Sequence, residues 1–315
     1  MTTFKRWLPE IDVLIPYAGT VILILAGSFI YPQILGLDYL SQQLQIAAFL
    51  GLLAVGATVV ILLGHIDLSV PWVLGGAAII STALVGSGNP TLSLLAIPTA
   101  VLFGAGIGVI NGFGVAILRI PSMVWTLAVN SMLLGTSVVI TGGFNPRGEA
   151  SETMISLATG EFGGVPLAFC VWMVMTLAIS VLLKRSAFGR YVSAIGYNEK
   201  ATFLSGVSTP KVIIASFAIA GVCSALGGIL LAGYANQAYQ SMGDPFLLPT
   251  IAAVVIGGTS ILGGRGSLAG TIGGVLFITL LNSILSVMQI SDAWRNITFG
   301  AIIIIMLLFQ SLRRK

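Results

Sequence analysis

Neutral polar side chains set inside long apolar runs are the residues of this chain whose types could do chemistry. Asn111, Thr126, Asn130 and Asn282, with Ser131, Thr259, Ser260, Ser283 and Gln289, bring amides and hydroxyls but no charge. Such groups exchange hydrogen bonds with a neutral, hydroxyl-rich solute while giving ions nothing to pair with. Trp125 and Phe277 lie near them in sequence. The same side chains also tie helices together or cap kinks, and their spacing leaves that alternative open. Residues of covalent and hydrolytic chemistry are missing: there is no G-x-x-x-x-G-K-[ST] phosphate loop, no H-E-x-x-H and no G-x-S-x-G. The lone histidine, His65, reads as structural. Cys170 and Cys223 both sit in apolar runs, where a small buried hydrophobe suffices. No cofactor and no metal are expected, and the chain is not expected to be an enzyme.

The elements that position these groups follow from composition. Only 8 % of the 315 residues are charged and 57 % are apolar, against roughly 25 % charged in a soluble domain. The mean hydropathy is +1.05. A soluble fold could not cover its surface with so few charges. Ten stretches free of charge and histidine can be read: Val13 to Tyr31, Leu44 to Leu63, Val70 to Gly88, Leu92 to Leu118, Ile120 to Thr141, Gly163 to Leu183, Val212 to Ala235, Phe246 to Gly264, Gly266 to Ile290, and Asn296 to Leu312. Their lengths bracket the ~20 residues that cross a bilayer as a helix, whereas a barrel would show short alternating segments. The expected fold is all-α, a polytopic membrane protein of about ten transmembrane helices. It forms a single transmembrane domain over residues 1–315, with no room for a soluble one.

Orientation follows from the basic residues. With the N-terminus inside, Lys5, Arg6, Arg119, Lys184, Arg185, Arg190, Lys200, Lys211, Arg265, Arg313, Arg314 and Lys315 face the cytoplasm, and only Arg147 and Arg295 lie outside. Both termini are then cytoplasmic. The net charge of +4 reflects topology and attraction to membrane lipid headgroups, not nucleic acid. The first apolar run is too long for a signal peptide, follows Pro9, contains Pro16 and lacks an A-x-A site, so it reads as an uncleaved helix. Asp67 and His65 fall at an inner helix junction, and Asp244 and Asp292 at outer ones. No ionisable group lies in mid-membrane to serve a proton relay.

Two connections stand out, an outer loop over about 142–162 with Glu149, Glu152 and Glu161, and an inner segment over about 184–211. The stretches Ile66–Gly76 and Gly264–Gly274 also echo one another at an offset of 198 residues, as a parallel duplication would. Gly104, Gly108 and Gly112, and again Gly270 and Gly274, recur every four residues and let helix backbones approach closely. Within the inner segment, Asn198 is a good N-cap, Glu199 and Lys200 open a short helix, and Gly206 closes it. Ala201, Leu204 and Ser205 then give one side small or apolar surface. This is either a docking knob or an interfacial loop helix.

The stretch AIGYNEKATFLSGVS resembles the cytoplasmic loop of ribose-type permeases of bacterial ABC importers. GHIDLSVPWVLGG and IAAVVIGGTSILGGRGSLAGTIGG resemble two more of that family's segments, and RIPSMVWTLAVN matches a fourth more loosely. His65 and Pro71 stand where the family usually has glycine, as does Tyr197, and SMGDPFLLPT departs from its acidic segment. The resemblance implies a multi-pass permease of the bacterial inner membrane that moves a monosaccharide or similar neutral solute. It implies three partners: a cytoplasmic ATP-binding cassette subunit, an extracytoplasmic solute-binding protein, and a second permease copy or homologue. By that resemblance, Asn198, Glu199, Ala201, Leu204, Ser205 and Gly206 form the coupling helix that meets the ATPase. Asn111, Thr126, Asn130 and Asn282 are the candidate translocation pathway. A self-contained facilitator for neutral solutes, and the permease of a related amino-acid or nucleoside importer, are the alternatives.

Overall fold

The computed structural model describes residues 11–144 and 148–312. Lys5, Arg6, Pro9, Arg147, Arg313, Arg314 and Lys315, used in the reading above, lie outside the described residues. The chain forms helices α1 (Ile11–Ile30), α2 (Leu37–Leu62), α3 (Val70–Val85), α4 (Pro90–Ala116), α5 (Ser122–Thr141), α6 (Glu152–Thr159) and α7 (Leu167–Arg185). It continues with α8 (Ala187–Tyr197), α9 (Glu199–Leu204), α10 (Thr209–Ala235), α11 (Leu247–Ile256), α12 (Leu268–Val287) and α13 (Asp292–Leu312). A two-residue hairpin, β1 (Glu161–Phe162) with β2 (Val165–Pro166), is turned by Gly163 and Gly164.

Each of the ten charge-free stretches carries one helix: α1 to α5, α7, and α10 to α13. Seven of these, α1, α2, α4, α5, α7, α10 and α12, are long and apolar enough to cross a membrane. The all-α polytopic fold expected from composition is therefore present. Two of the stretches differ from expectation in helix length. α3 has 16 residues and α11 only 10, about 24 and 15 Å of helix against a bilayer core of ~30 Å. The shortening has local causes. Gly257 and Gly258 end α11, and the following loop runs through Gly263 and Gly264, with Gly258, Gly263 and Gly264 all at positive φ. Ahead of α3, the segment 63–69 is non-helical, with Gly64 also at positive φ.

Two helices form the centre. α2 is buried on every side from Ala47 to Leu62, and it packs against α7, α10, α11 and α12. α10 lies along α4 through a seam without side chains: a Cβ on Gly104 would strike the Gly221 carbonyl, and one on Gly221 would strike that of Gly104. Gly108 and Gly112 continue the seam against the backbone at Phe217 and Ile214. Backbones this close gain dispersion contacts that lipid cannot replace, which drives helix association where the hydrophobic effect is absent. α1 packs on α12, with the Tyr17 hydroxyl donating to the Ala269 carbonyl at 2.7 Å.

The two halves of the internal echo also correspond in structure. α3 and α12 begin at Val70 and Leu268, each directly after a serine, Ser69 and Ser267. The outer loop expected over about 142–162 carries a short helix, α6, N-capped by the Ser151 side chain. Met154 and Ala158 seat it on α10 and α7.

Candidate functional site

Four connections gather at one end of the bundle: 63–69, 117–121, 186–208 and 257–267. The Gly264 N–H donates to the Leu62 carbonyl at 2.9 Å. Gly196 lies so close to Leu62 and Gly264 that no Cβ would fit there. Arg265 Nε donates to the Tyr197 hydroxyl at 3.3 Å. Arg119, from the α4–α5 turn, donates to Glu199 of α9 in an ion pair.

On this platform sits α9. The ends of this helix lie where the sequence places them. Asn198 is the N-cap, its side chain accepting from the Ala201 N–H at 3.0 Å. The Ser205 hydroxyl donates to the Ala201 carbonyl at 2.9 Å. Gly206 takes a left-handed conformation (φ +85°) that a side chain would oppose. Glu199 opens the helix and also accepts from the Thr209 hydroxyl at 3.4 Å, tying α9 to the start of α10. Thr202 is buried beneath it. What α9 turns away from the protein is apolar: Leu204 is 84 % exposed, Phe203 57 % and, just before the helix, Tyr197 64 %. α8, which delivers the chain to α9, was not anticipated. Its apolar face, with Val192 and Ile195 buried, is masked in sequence by the polar residues around it.

Behind the platform, the segment Ile66–Ser69 is non-helical and partly buried, and polar side chains hold its backbone. The Ile66 N–H donates to Ser122 Oγ at 3.2 Å, and the Leu68 N–H to Thr126 Oγ1 at 2.9 Å. Asp67 Oδ1 accepts from both the N–H and the hydroxyl of Ser69, at 2.9 and 2.6 Å. Asn111 Nδ2 donates to Ser69 Oγ at 2.7 Å. Buried backbone outside a helix must find its partners elsewhere in the protein, and Ser122 and Thr126 accept two of its N–H groups. On the far side, Gly243 abuts the backbone of Pro71 at the start of α3. A cavity that holds about one water lies between Asp67, Thr250 and the neighbouring apolar side chains.

Two of the four pathway candidates, Asn111 and Thr126, thus meet through Ile66–Ser69. Asn130 lies one turn beyond Thr126 on α5, and its Oδ1 is buried with no partner among the described residues, as is that of Asn111. Asn282 stands exposed on α12, and no described contact joins it to the other three. The residues the sequence reading missed are Arg119, Asp67 and Ser69. Arg119 entered only as a topology marker and as the first residue of RIPSMVWTLAVN. Its isolation between two charge-free stretches was a further signal.

His65 lies under α9, its ring 6.1 Å from that of Phe217. Burial pushes its pKa down; Glu199 opposes the shift and Arg119 adds to it. Among the described residues, no group of His, Cys, Asp and Glu is placed to hold a metal ion.

Seven apolar helices long enough to cross a membrane, with the shorter α3 and α11 between them, define a multi-pass helical membrane protein. Comparison with known proteins is specific. Residues 39–307 match the family model described as branched-chain amino acid transport system / permease component, and the chain belongs to that family. Ribose import permease protein RbsC of Haemophilus influenzae is 33 % identical over 298 residues, covering 93 % of this chain and 91 % of that one. Its Escherichia coli K12 counterpart is 32 % identical over 312 residues, 98 % and 95 % of the two chains. Autoinducer 2 import system permease protein LsrC of Yersinia enterocolitica is 32 % identical over 304 residues, 93 % and 82 %. No solved structure matches the chain.

Proposed function

We propose that this chain is the membrane permease of a bacterial ABC importer for a monosaccharide or a similar neutral, polyhydroxylated solute. The observation that carries the reading is α9. It is capped at both ends, pinned beneath by Glu199 and Thr202, and it exposes Leu204 and Phe203 outside the bundle. An apolar knob on a rigid platform is a docking element. In this reading Asn198, Glu199, Ala201, Leu204, Ser205 and Gly206 meet a separate ATP-binding cassette subunit, which supplies the energy that this chain lacks the motif to extract.

Of the eight described basic residues, Arg119, Lys184, Arg185, Arg190, Lys200, Lys211 and Arg265 lie in the connections at the α9 end or in the helix turns that border them, and Arg295, at the start of α13, is the exception. The positive-inside rule makes that end cytoplasmic, with both termini on the same side and ten membrane passes, α3 and α11 being partial ones. An extracytoplasmic solute-binding protein would deliver solute at the opposite end. A second permease copy or homologue would complete the pathway. Asn111 and Asn130 offer unpaired amide oxygens to solute hydroxyls, with Thr126 beside them and Asn282 further along. Relatives named for ribose and for autoinducer 2 match at nearly equal identity, which favours a sugar-like solute over an amino acid.

The test is a mild-detergent pull-down of the tagged chain from its native membrane. A stoichiometric ATP-binding subunit is expected with the wild type and is expected to be lost with Leu204→Asp, whose exposed position leaves the fold intact. A partner-free chain that carries sugar alone in liposomes would overturn the reading in favour of a facilitator.

A further inference from the structure

Arg119 occupies the turn between α4 and α5 with φ +58°, a left-handed conformation that glycine adopts freely and that L side chains resist. Around it α4 ends in a widened turn, with the Leu118 N–H reaching the Phe113 carbonyl at 3.3 Å and the Ile120 N–H the Gly114 carbonyl at 3.2 Å. Backbone alone would favour glycine at this position. What the arginine adds is its guanidinium, which meets Glu199 across 80 residues of chain. Both partners are partly exposed to solvent, 58 % and 30 % at the side chain, so the pair contributes little to stability. A strained residue holding a weak ion pair points to a use other than stability.

The position of Arg119 suggests that use. Three residues on, Ser122 and then Thr126 accept the backbone N–H groups of Ile66 and Leu68. Asp67 and Ser69 follow at once, with Ser69 held in turn by Asn111 of α4. The ion pair at Arg119 and the hydroxyls that follow it on the first turns of α5 therefore connect α9 with the non-helical segment ahead of α3. A second tie, Glu199 to Thr209, leads to α10, which packs on α2, α3 and α4. Arg119 thus joins α9 to the turn whose next side chains hold Ile66 and Leu68, beside the cavity at Asp67.

Building on the importer reading, we infer that Arg119 is a positioning residue that transmits displacement of α9 to Ile66–Ser69. The Arg119–Glu199 pair is the strut by which nucleotide-driven movement at the knob reaches the broken helix α3.

The experiment uses the assembled complex in proteoliposomes, reading solute-stimulated ATP hydrolysis together with co-purification of the ATP-binding subunit. Arg119→Gly relieves the backbone while deleting the strut, and Arg119→Glu reverses one charge. Both variants are expected to insert and to keep the subunit bound, yet to lose solute stimulation by about tenfold or more, in the usual range of a coupling between sites. The double reversal Arg119→Glu with Glu199→Arg is expected to regain stimulation to within about threefold of wild type. A merely structural role would show as lost subunit or poor insertion and would not be rescued by the reversal. Full stimulation in Arg119→Gly, or a double reversal no better than Arg119→Glu, would overturn the strut. A wild-type complex with no solute-stimulated hydrolysis would overturn the importer reading itself, and the strut with it.

Discussion

The backbone N–H of Leu68 ends on the hydroxyl of Thr126, 2.9 Å away and 58 residues further along the chain. That hydroxyl donates its own proton to the Ser122 carbonyl at 2.8 Å, which leaves a lone pair aimed at Leu68. Thr126→Val keeps the shape of the side chain and removes the acceptor. A donor left unpaired there costs about 1–3 kcal/mol. Thr126→Val is therefore expected to melt several degrees below the wild type in detergent, and Thr126→Ser close to it. Equal melting temperatures for Val and wild type would show that the segment finds another acceptor.

His65 makes stability depend on pH in a defined direction. Its pKa in the folded chain lies below the ordinary value, chiefly through burial, with Arg119 lowering it further and Glu199 partly compensating. Above the ordinary imidazole pKa of about 6.5 both folded and unfolded chains hold it neutral, and the contribution is complete. As the pH falls below that value, the unfolded chain takes up a proton that the folded chain resists, and stability is lost until the folded pKa is passed. Melting curves between pH 8 and pH 5 are expected to drop for the wild type and to drop less for His65→Gln. Identical slopes would place the pH sensitivity elsewhere.

The α4–α10 seam sets a strict limit on side-chain size. Gly104→Val would force a branched side chain into the Gly221 carbonyl and Ala225. Overpacking of this kind typically costs about 1–3 kcal/mol, and more where the obstacle is backbone. The variant is expected to fail to accumulate as a monodisperse species on size-exclusion chromatography. Gly106, on the same helix, has nothing within 4 Å of the added carbon, so Gly106→Ala is expected to behave as wild type. A monodisperse Gly104→Val would mean that the two helices can part without penalty.

How far the sequence could be read depended on whether a feature is local. The ends of α9 were legible because Asn198 and Gly206 act within a few residues of themselves. The ten helical segments were legible from the spacing of charge. The true length of α11 was not. Its charge-free run counts Gly257, Gly258, Gly263 and Gly264 as apolar, and the backbone leaves the helix at the first of them. The polar network was half legible. Asn111 and Thr126 were singled out by their type, but Thr126 holds the Leu68 backbone and Asn111 the Ser69 hydroxyl, and nothing in residue type records which group each will meet. Arg119 illustrates the remainder: its partner lies 80 residues away, a distance that only the fold closes.

The pairing of α1 with α12 has a consequence for how the protein is made. α1 leaves the ribosome first, yet the carbonyl that receives its Tyr17 hydroxyl belongs to Ala269, 252 residues later. At a synthesis rate of about 5–20 residues per second, that partner arrives tens of seconds after α1. Through that interval α1 must remain in the bilayer on its own apolar character. Its exposed Leu14, Ile15, Val21, Ile22 and Leu25 equip it to wait in lipid until α12 has been made.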